Sequence, residues 1–215
     1  MTRIILLAVL LCSQFFSKAQ ISAVTNSGDE VILYNNGTWK YVNKVDSPAK
    51  EIPTNNSNFQ KPSGSTFKVN STTVTNASVY LNPKKWEFKK AESGASEYKF
   101  ELKAKDAYGM LITERIQIPL LTLKEAALMN AKNASPDINL VKEEYRTVNG
   151  IKLIYLQMEG SIQGIDFTYC GYYYSSEQGT VQLVTYTSKQ LLKEYRSEME
   201  DLLNGLIISK STDTK

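Results

Sequence analysis

The sequence predicts an α+β fold: an antiparallel β-sheet meander flanked by helices, preceded by a small N-terminal β-meander. Three observations carry this. Four consecutive period-two segments between residues 139 and 187 are joined by short turns, which makes neighbouring strands antiparallel. Two stretches with helical spacing, one opening at Thr122 and one at Ser188, bracket those strands. Near the N-terminus, Asn36-Gly37 separates two β-rich runs, and Asn-Gly supplies the positive φ angles of a type I′ hairpin.

Composition narrows the function before any element is placed. The chain has 215 residues, 42% of them hydrophobic and 22% charged, with a formal net charge of +3, as expected of a globular protein. It contains no histidine, which excludes His-based triads and His-ligated zinc. Two cysteines, Cys12 and Cys170, are too few for a disulfide scaffold. Only four of the basic residues are Arg, so no fork-bearing phosphate surface is evident and nucleic acid is not an expected partner. No apolar run after the leader approaches the length of a transmembrane segment.

Residues 1–19 read as a signal peptide. Arg3 precedes an apolar run from Ile4 to Leu11, and Ser17-Lys18-Ala19 places small residues where a signal peptidase reads. The rival is a lipoprotein signal at Cys12, but Leu11 is bulkier than a lipobox accepts. An exported chain, periplasmic or extracellular, follows. Residues 20–43 form the small β-hairpin module. Period two sets Val31 and Leu33 on one face, with Trp39 and Tyr41 placed to cover them. Trp39 is a candidate contact for wall or glycan, or simply the lid of this small core. Residues 44–78 are rich in Ser, Thr, Asn and Pro and read as a linker, because they offer little surface to offset the entropy of ordering.

The main domain is expected over residues 79–208. Strands are predicted at 86–90 and 97–103. A long alternation follows, with Met110, Ile112, Ile116, Ile118 and Leu120 on one face and Thr113, Arg115 and Gln117 opposite. Glu114 interrupts the apolar face as an edge or bulge position. Thr122 and Glu125 read as a capping box, for a helix ending near Asn133 before Ser135-Pro136. Strands at 139–148, 151–159, 165–175 and 180–187 follow, separated by Asn149-Gly150, by 160–164 and by 177–179. Ser188 is the expected cap of the last helix, whose stripe is Leu191, Leu192, Tyr195, Met199, Leu202 and Leu203, with Gly205 at its C-cap. Residues 209–215 read as a flexible tail.

No catalytic constellation stands out. Ser-x-x-Lys at Ser47, Ser65 and Ser96 lacks its companion motifs. No Gly-rich phosphate loop occurs, and Gly160 and Gly164 bracket only a hairpin loop. Glu143 and Glu144 face opposite sides of a strand and cannot share one substrate. Asp106, Glu159 and Asp166 at strand ends are the only candidates for a His-free hydrolase. One strand is unusually aromatic. Phe167, Tyr169 and Tyr173 share one face, and Asp166, Thr168, Cys170, Tyr172 and Tyr174 the other. The first three are candidate ligand-binding residues in a pocket between sheet and helix; core packing is the alternative. Cys170 reads as a small buried strand residue rather than a reactive thiol.

The element order, the opening Asn82-Pro83-x-x-Trp86 and the helix after the meander resemble the PsbP/Mog1-like α/β/α sandwich family over about residues 80–208. Separately, Gly28 to Val42 looks like a short element that opens many exported bacterial proteins. The family resemblance implies a non-enzymatic accessory protein that binds another protein in the cell envelope. The metal sites of photosynthetic members use histidines, so no ion role carries over, and no metal or other cofactor is expected. The alternatives are a carrier of a small apolar ligand and the hydrolase already mentioned.

Overall fold

The computed structural model describes residues 21–24, 30–34, 37–42 and 51–209. The leader, the 26–29 turn, Asn35-Asn36 and the tail beyond Ser209 lie outside these residues. The chain divides into two units, 1–51 and 52–215.

In the first unit β1 (Ile21–Val24), β2 (Glu30–Leu33) and β3 (Trp39–Tyr41) form an antiparallel sheet in that order. Leu33 stands opposite Trp39 and Val31 opposite Tyr41, the cross-strand pairs that the alternation implies. Gly37 holds φ +80°, the left-handed conformation expected after Asn36.

The second unit is built on an eight-stranded sheet. Its strands are β4 (Thr54–Phe59), β7 (Trp86–Lys90), β8 (Ser96–Leu102), β9 (Ala107–Glu114), β10 (Asn139–Val148), β11 (Ile151–Ile162), β12 (Ile165–Ser176) and β13 (Gly179–Ser188). The spatial order is β4-β10-β11-β12-β13-β9-β8-β7. All pairs are antiparallel except β4, which runs parallel to β10. The predicted four-strand meander is therefore the centre of a larger, mixed sheet. A separate sheet, β14-β6-β5, contains β5 (Phe67–Asn70), β6 (Ala77–Leu81) and β14 (Leu206–Ile208).

Among the described residues, two α-helices cover opposite faces of the large sheet. Helix α2 (Leu192–Asn204), entered through a single 3-10 turn at Lys189–Leu191, buries Leu192, Tyr195, Met199, Leu202 and Leu203. With the small sheet it covers the face carrying Leu111, Leu183, Tyr172 and Tyr155, and this is the main core. Helix α1 (Leu120–Ala134) buries only Leu123 and Ala127, against Ile154, Leu156, Tyr173 and Val184 on the other face.

Several expectations are corrected. Residues 54–59, 67–70 and 77–78 are strands rather than linker, and Val69, Val74 and Ala77 belong to the core. β4 and β5 are edge strands, which need few apolar residues, so polar composition did not betray them, and of central β6 only the first two residues fall within that stretch. Ser65, expected in a mobile tether, is buried. The β9 alternation stops at Glu114, and Ile116 lies exposed in the loop beyond. Helix α1 starts at Leu120 after Pro119, so Thr122 is inside the helix and caps nothing. Ser188 ends β13 and makes no side-chain cap bond. Gly160 lies inside β11, where Ser135 and Ile138 approach so closely that no side chain fits; the turn itself is Gln163-Gly164, both at positive φ. Gly205 does close α2, but at φ −70°. Glycine is needed there because a Cβ would run into the Tyr80 carbonyl.

Candidate functional site

The α1 face of the sheet can be read as rows, because residues paired across strands share a face. One row runs Glu87, Glu101, Tyr108, Tyr186, Tyr169, Met158 from β7 to β11. The next runs Lys89, Lys99, Met110, Val184, Gly171, Leu156. Helix α1 sits on the β11 and β12 end of these rows. The end formed by β13, β9, β8 and β7 has no helix over it among the described residues.

Where α1 meets the open half lies a hollow of about 320 Å³. Met110, Ile112, Met158 and Val184 line the sheet side, and Ala127, Ala131 and Ala134 line the helix side. The alanines recur at i, i+4 and i+7, so much of the α1 face toward the hollow carries only methyl groups, with Asn130 its one longer side chain. Tyr169 and Tyr173 also line it. Beside it, a second hollow of about 300 Å³ is bordered by Glu87, Lys89, Lys99, Glu101, Tyr108 and Tyr186.

Aromatic rings link the two. Tyr108 and Tyr186 have ring centroids 5.5 Å apart, Tyr186 and Tyr169 5.6 Å, and Tyr169 and Phe167 6.4 Å. Burial pushes the Tyr186 hydroxyl pKa upward, and nearby Tyr108 and Glu101 add to the effect. Tyr108 is raised by burial and then by Asp106 and Glu101. Tyr169 is raised by burial and by Tyr186. These phenols therefore remain neutral hydrogen-bonding groups at neutral pH.

The four sequence candidates separate. Tyr169 and Tyr173 border the hollow beside α1, and Tyr173 is fully buried under the helix. Phe167 ends the ring ladder without lining either hollow. Trp39 belongs to the first unit, where it is 54% exposed and stands edge-on to Tyr41 at 5.0 Å. Sequence reasoning missed Tyr108, Tyr186 and the two charged pairs. Their neighbourhood depends on β9 pairing with β13 and β8 with β9 and β7, which no local pattern states.

The acidic candidates are already engaged. Glu159 pairs with Lys189 at 2.7 Å, and Asp166 accepts the Ser161 hydroxyl at 2.6 Å. Both border a small polar hollow with Asp137, which accepts the Ser135 hydroxyl at 2.6 Å. Asp106 lies apart, next to Tyr108. Glu143 pairs with Lys124 of α1 at 3.1 Å. On the opposite face buried Glu144 accepts from Arg146 at 2.6 Å and from Asn55 at 3.0 Å. The Arg146 guanidinium lies 3.6 Å from the Tyr155 ring centroid and 4.4 Å from that of Phe59, a buried cation between aromatic faces. Cys170 is buried, and burial pushes its thiol up. Among the described residues no group of three or more Cys, Asp or Glu side chains is arranged to hold a metal ion. No described helix is long and apolar enough to cross a membrane.

No protein-family model matches the chain, and no curated protein matches it by sequence. Solved structures do match. The cyanobacterial PsbP protein of Synechocystis sp. PCC 6803 superposes with a TM-score of 0.51 at 11% identity, covering 69% of this chain and 95% of its own. LpqN of Mycobacterium tuberculosis, described as involved in cell envelope biogenesis, gives 0.48 at 14% identity over 62% of this chain and 83% of its own. PA94 of Pseudomonas aeruginosa, of unknown function, gives 0.45 at 13% identity over 67% and 98%. The chain has a PsbP-like fold.

Proposed function

We propose that this chain is an exported, non-enzymatic accessory protein that holds a protein partner on the open half of its sheet. The observation that carries the reading is the uncovered α1-side face of β13, β9, β8 and β7, on which tyrosines, a methionine and charged residues are aligned in register. Tyrosine is favoured at such surfaces because it combines apolar area with a polar tip. The acidic groups elsewhere are committed to ion pairs and hydrogen bonds, which supports binding over catalysis. Export rests on the leader pattern of residues 1–19. The test is crosslinked capture of the tagged chain from its native envelope, read by mass spectrometry. One stoichiometric protein with crosslinks to the second unit is expected, and recovery of the chain alone would overturn the reading.

A second reading is favoured by one observation. The hollow beside α1, at about 320 Å³, falls at the lower end of the range of small-molecule pockets, and its lining is largely apolar. On this reading native mass spectrometry of the purified chain finds a small apolar molecule, and a bare chain removes it.

A further inference from the structure

The outer part of the open face carries a charge pattern that costs stability. Glu87 stands directly opposite Glu101, and Lys89 directly opposite Lys99. Like charges directly opposite on one face destabilise a sheet. Exchanging Lys99 and Glu101 would turn both pairs into attractive ones with no change of composition. All four side chains are exposed, and none of them forms an ion pair with a described residue. The two rows therefore end in a doubled negative charge and a doubled positive charge, two residues apart along the strands.

Resting on the protein-binding reading above, we propose that this half-face receives one amphipathic helix of a partner protein, laid beside α1. Its apolar stripe lies on Met110, Ile112 and Tyr186. Its outer flank carries a basic residue over Glu87 and Glu101 and an acidic residue one turn away over Lys89 and Lys99. Dimensions fit this occupant. Four strands span roughly 14 Å at the usual strand spacing, and a helix with side chains is about 10–12 Å across. Two residues of strand separate the charged rows by roughly 6.7 Å, and residues i and i+4 of a helix are about 6 Å apart along its axis. A second copy of this chain fits less well. Setting acidic rows on basic rows needs a two-fold axis across the strands between them. The same axis sets α1 against α1 and holds the two troughs apart.

The test uses the purified chain and two synthetic helical peptides of about 18 residues, long enough to form helix in a binding groove. Both carry the same Ala/Leu stripe. One has Lys and Glu four residues apart on one flank; its twin has those two exchanged. Reversing a bound helix moves the charged flank to the α1 side, so the twin cannot compensate by turning round. Amide shifts are expected at 87–89, 99–101, 108–112 and 182–186, with one peptide binding at least about fivefold tighter (a free-energy difference of about 1 kcal/mol). In K99E/E101K, which should fold at least as well as the parent, the preference disappears. In E87K/K89E/K99E/E101K it passes to the twin. Shifts elsewhere, no binding of either peptide, or a preference indifferent to the inversions would overturn the proposal. A captured native partner whose crosslinks avoid this face would overturn it too while leaving the protein-binding reading intact, whereas capture of no partner overturns that reading itself.

Discussion

Helix α2 sinks Leu192, Tyr195, Met199, Leu202 and Leu203 into one face of the large sheet, and a three-stranded sheet completes that layer. Helix α1 sinks only Leu123 and Ala127 into the other face and leaves a hollow along its flank. Both helices follow from apolar periodicity, but they serve different ends. The α2 face is filled with large side chains and sustains the fold. The α1 face trades packing for access, with alanines where a tightly docked helix would present leucines.

The largest effect that tests this contrast is truncation. Leu203→Ala on the α2 side should cost about 2–5 kcal/mol, read as the loss of unfolding free energy in urea. Leu123→Ala on α1, with a hollow nearby, should fall at the lower bound of that range. Equal losses would break the comparison. Enlargement should show the reverse asymmetry. Ala77→Leu, 1% exposed in the main core, should cost about 1–3 kcal/mol through overpacking. Ala131→Leu, directed at the hollow, should change stability by less than about 0.5 kcal/mol.

Acid should loosen the α2-side layer through Glu97. Burial alone would raise this carboxyl. Hydrogen bonds from Thr113, the Thr72 backbone, Ser71 and the Thr72 hydroxyl outweigh that and hold it below its ordinary value. Its folded pKa is therefore depressed. The stability it supplies is present above the unfolded carboxylate value and is lost as pH falls through the lower, folded value. Urea midpoints measured between pH 6 and pH 3 should fall less steeply in Glu97→Gln than in the parent. Identical slopes would show that the 71–73 loop is held by other means. The smallest effect belongs to the open face. K99E/E101K should raise stability by about 0.2–1 kcal/mol per pair, and no gain in urea would show that diagonal attractions already offset the like-charge pairs.

Much of this fold is written in local chemistry. Asn149-Gly150 at φ +50° and +84°, the stripe of α2 and the two faces of β12 each follow from residues close in the chain. What sequence reasoning missed has a common physical cause. In β4, Thr54–Phe59, only Asn55 and Phe59 are half-buried, and in β5 only Val69 is buried. Such edge strands are held by backbone pairing to distant partners, so Ser, Thr and Asn serve and composition mimics a tether. The candidate site divides in the same way. Tyr169 and Tyr173 stand out because they share one strand. Tyr108 and Tyr186 join them only through the β9 to β13 register, across more than seventy residues of chain.

Asn149 does more than turn a hairpin. Its carboxamide oxygen accepts the Lys61 amide at 2.8 Å, and its nitrogen donates to the carbonyls of Asn204 and Leu206, each at 2.8 Å. Its backbone amide donates to Phe59 at 3.0 Å. The turn needs only its neighbours, whereas the side-chain bonds await the arrival of segments from both ends of the unit. One residue thus takes part in an early and a late event of folding. Asn149→Gly keeps the left-handed turn and removes the side-chain bonds, so its cost falls on the unfolding rate and leaves the folding rate nearly unchanged. The time for which the second unit stays closed is set in part at a residue whose own hairpin would form without it.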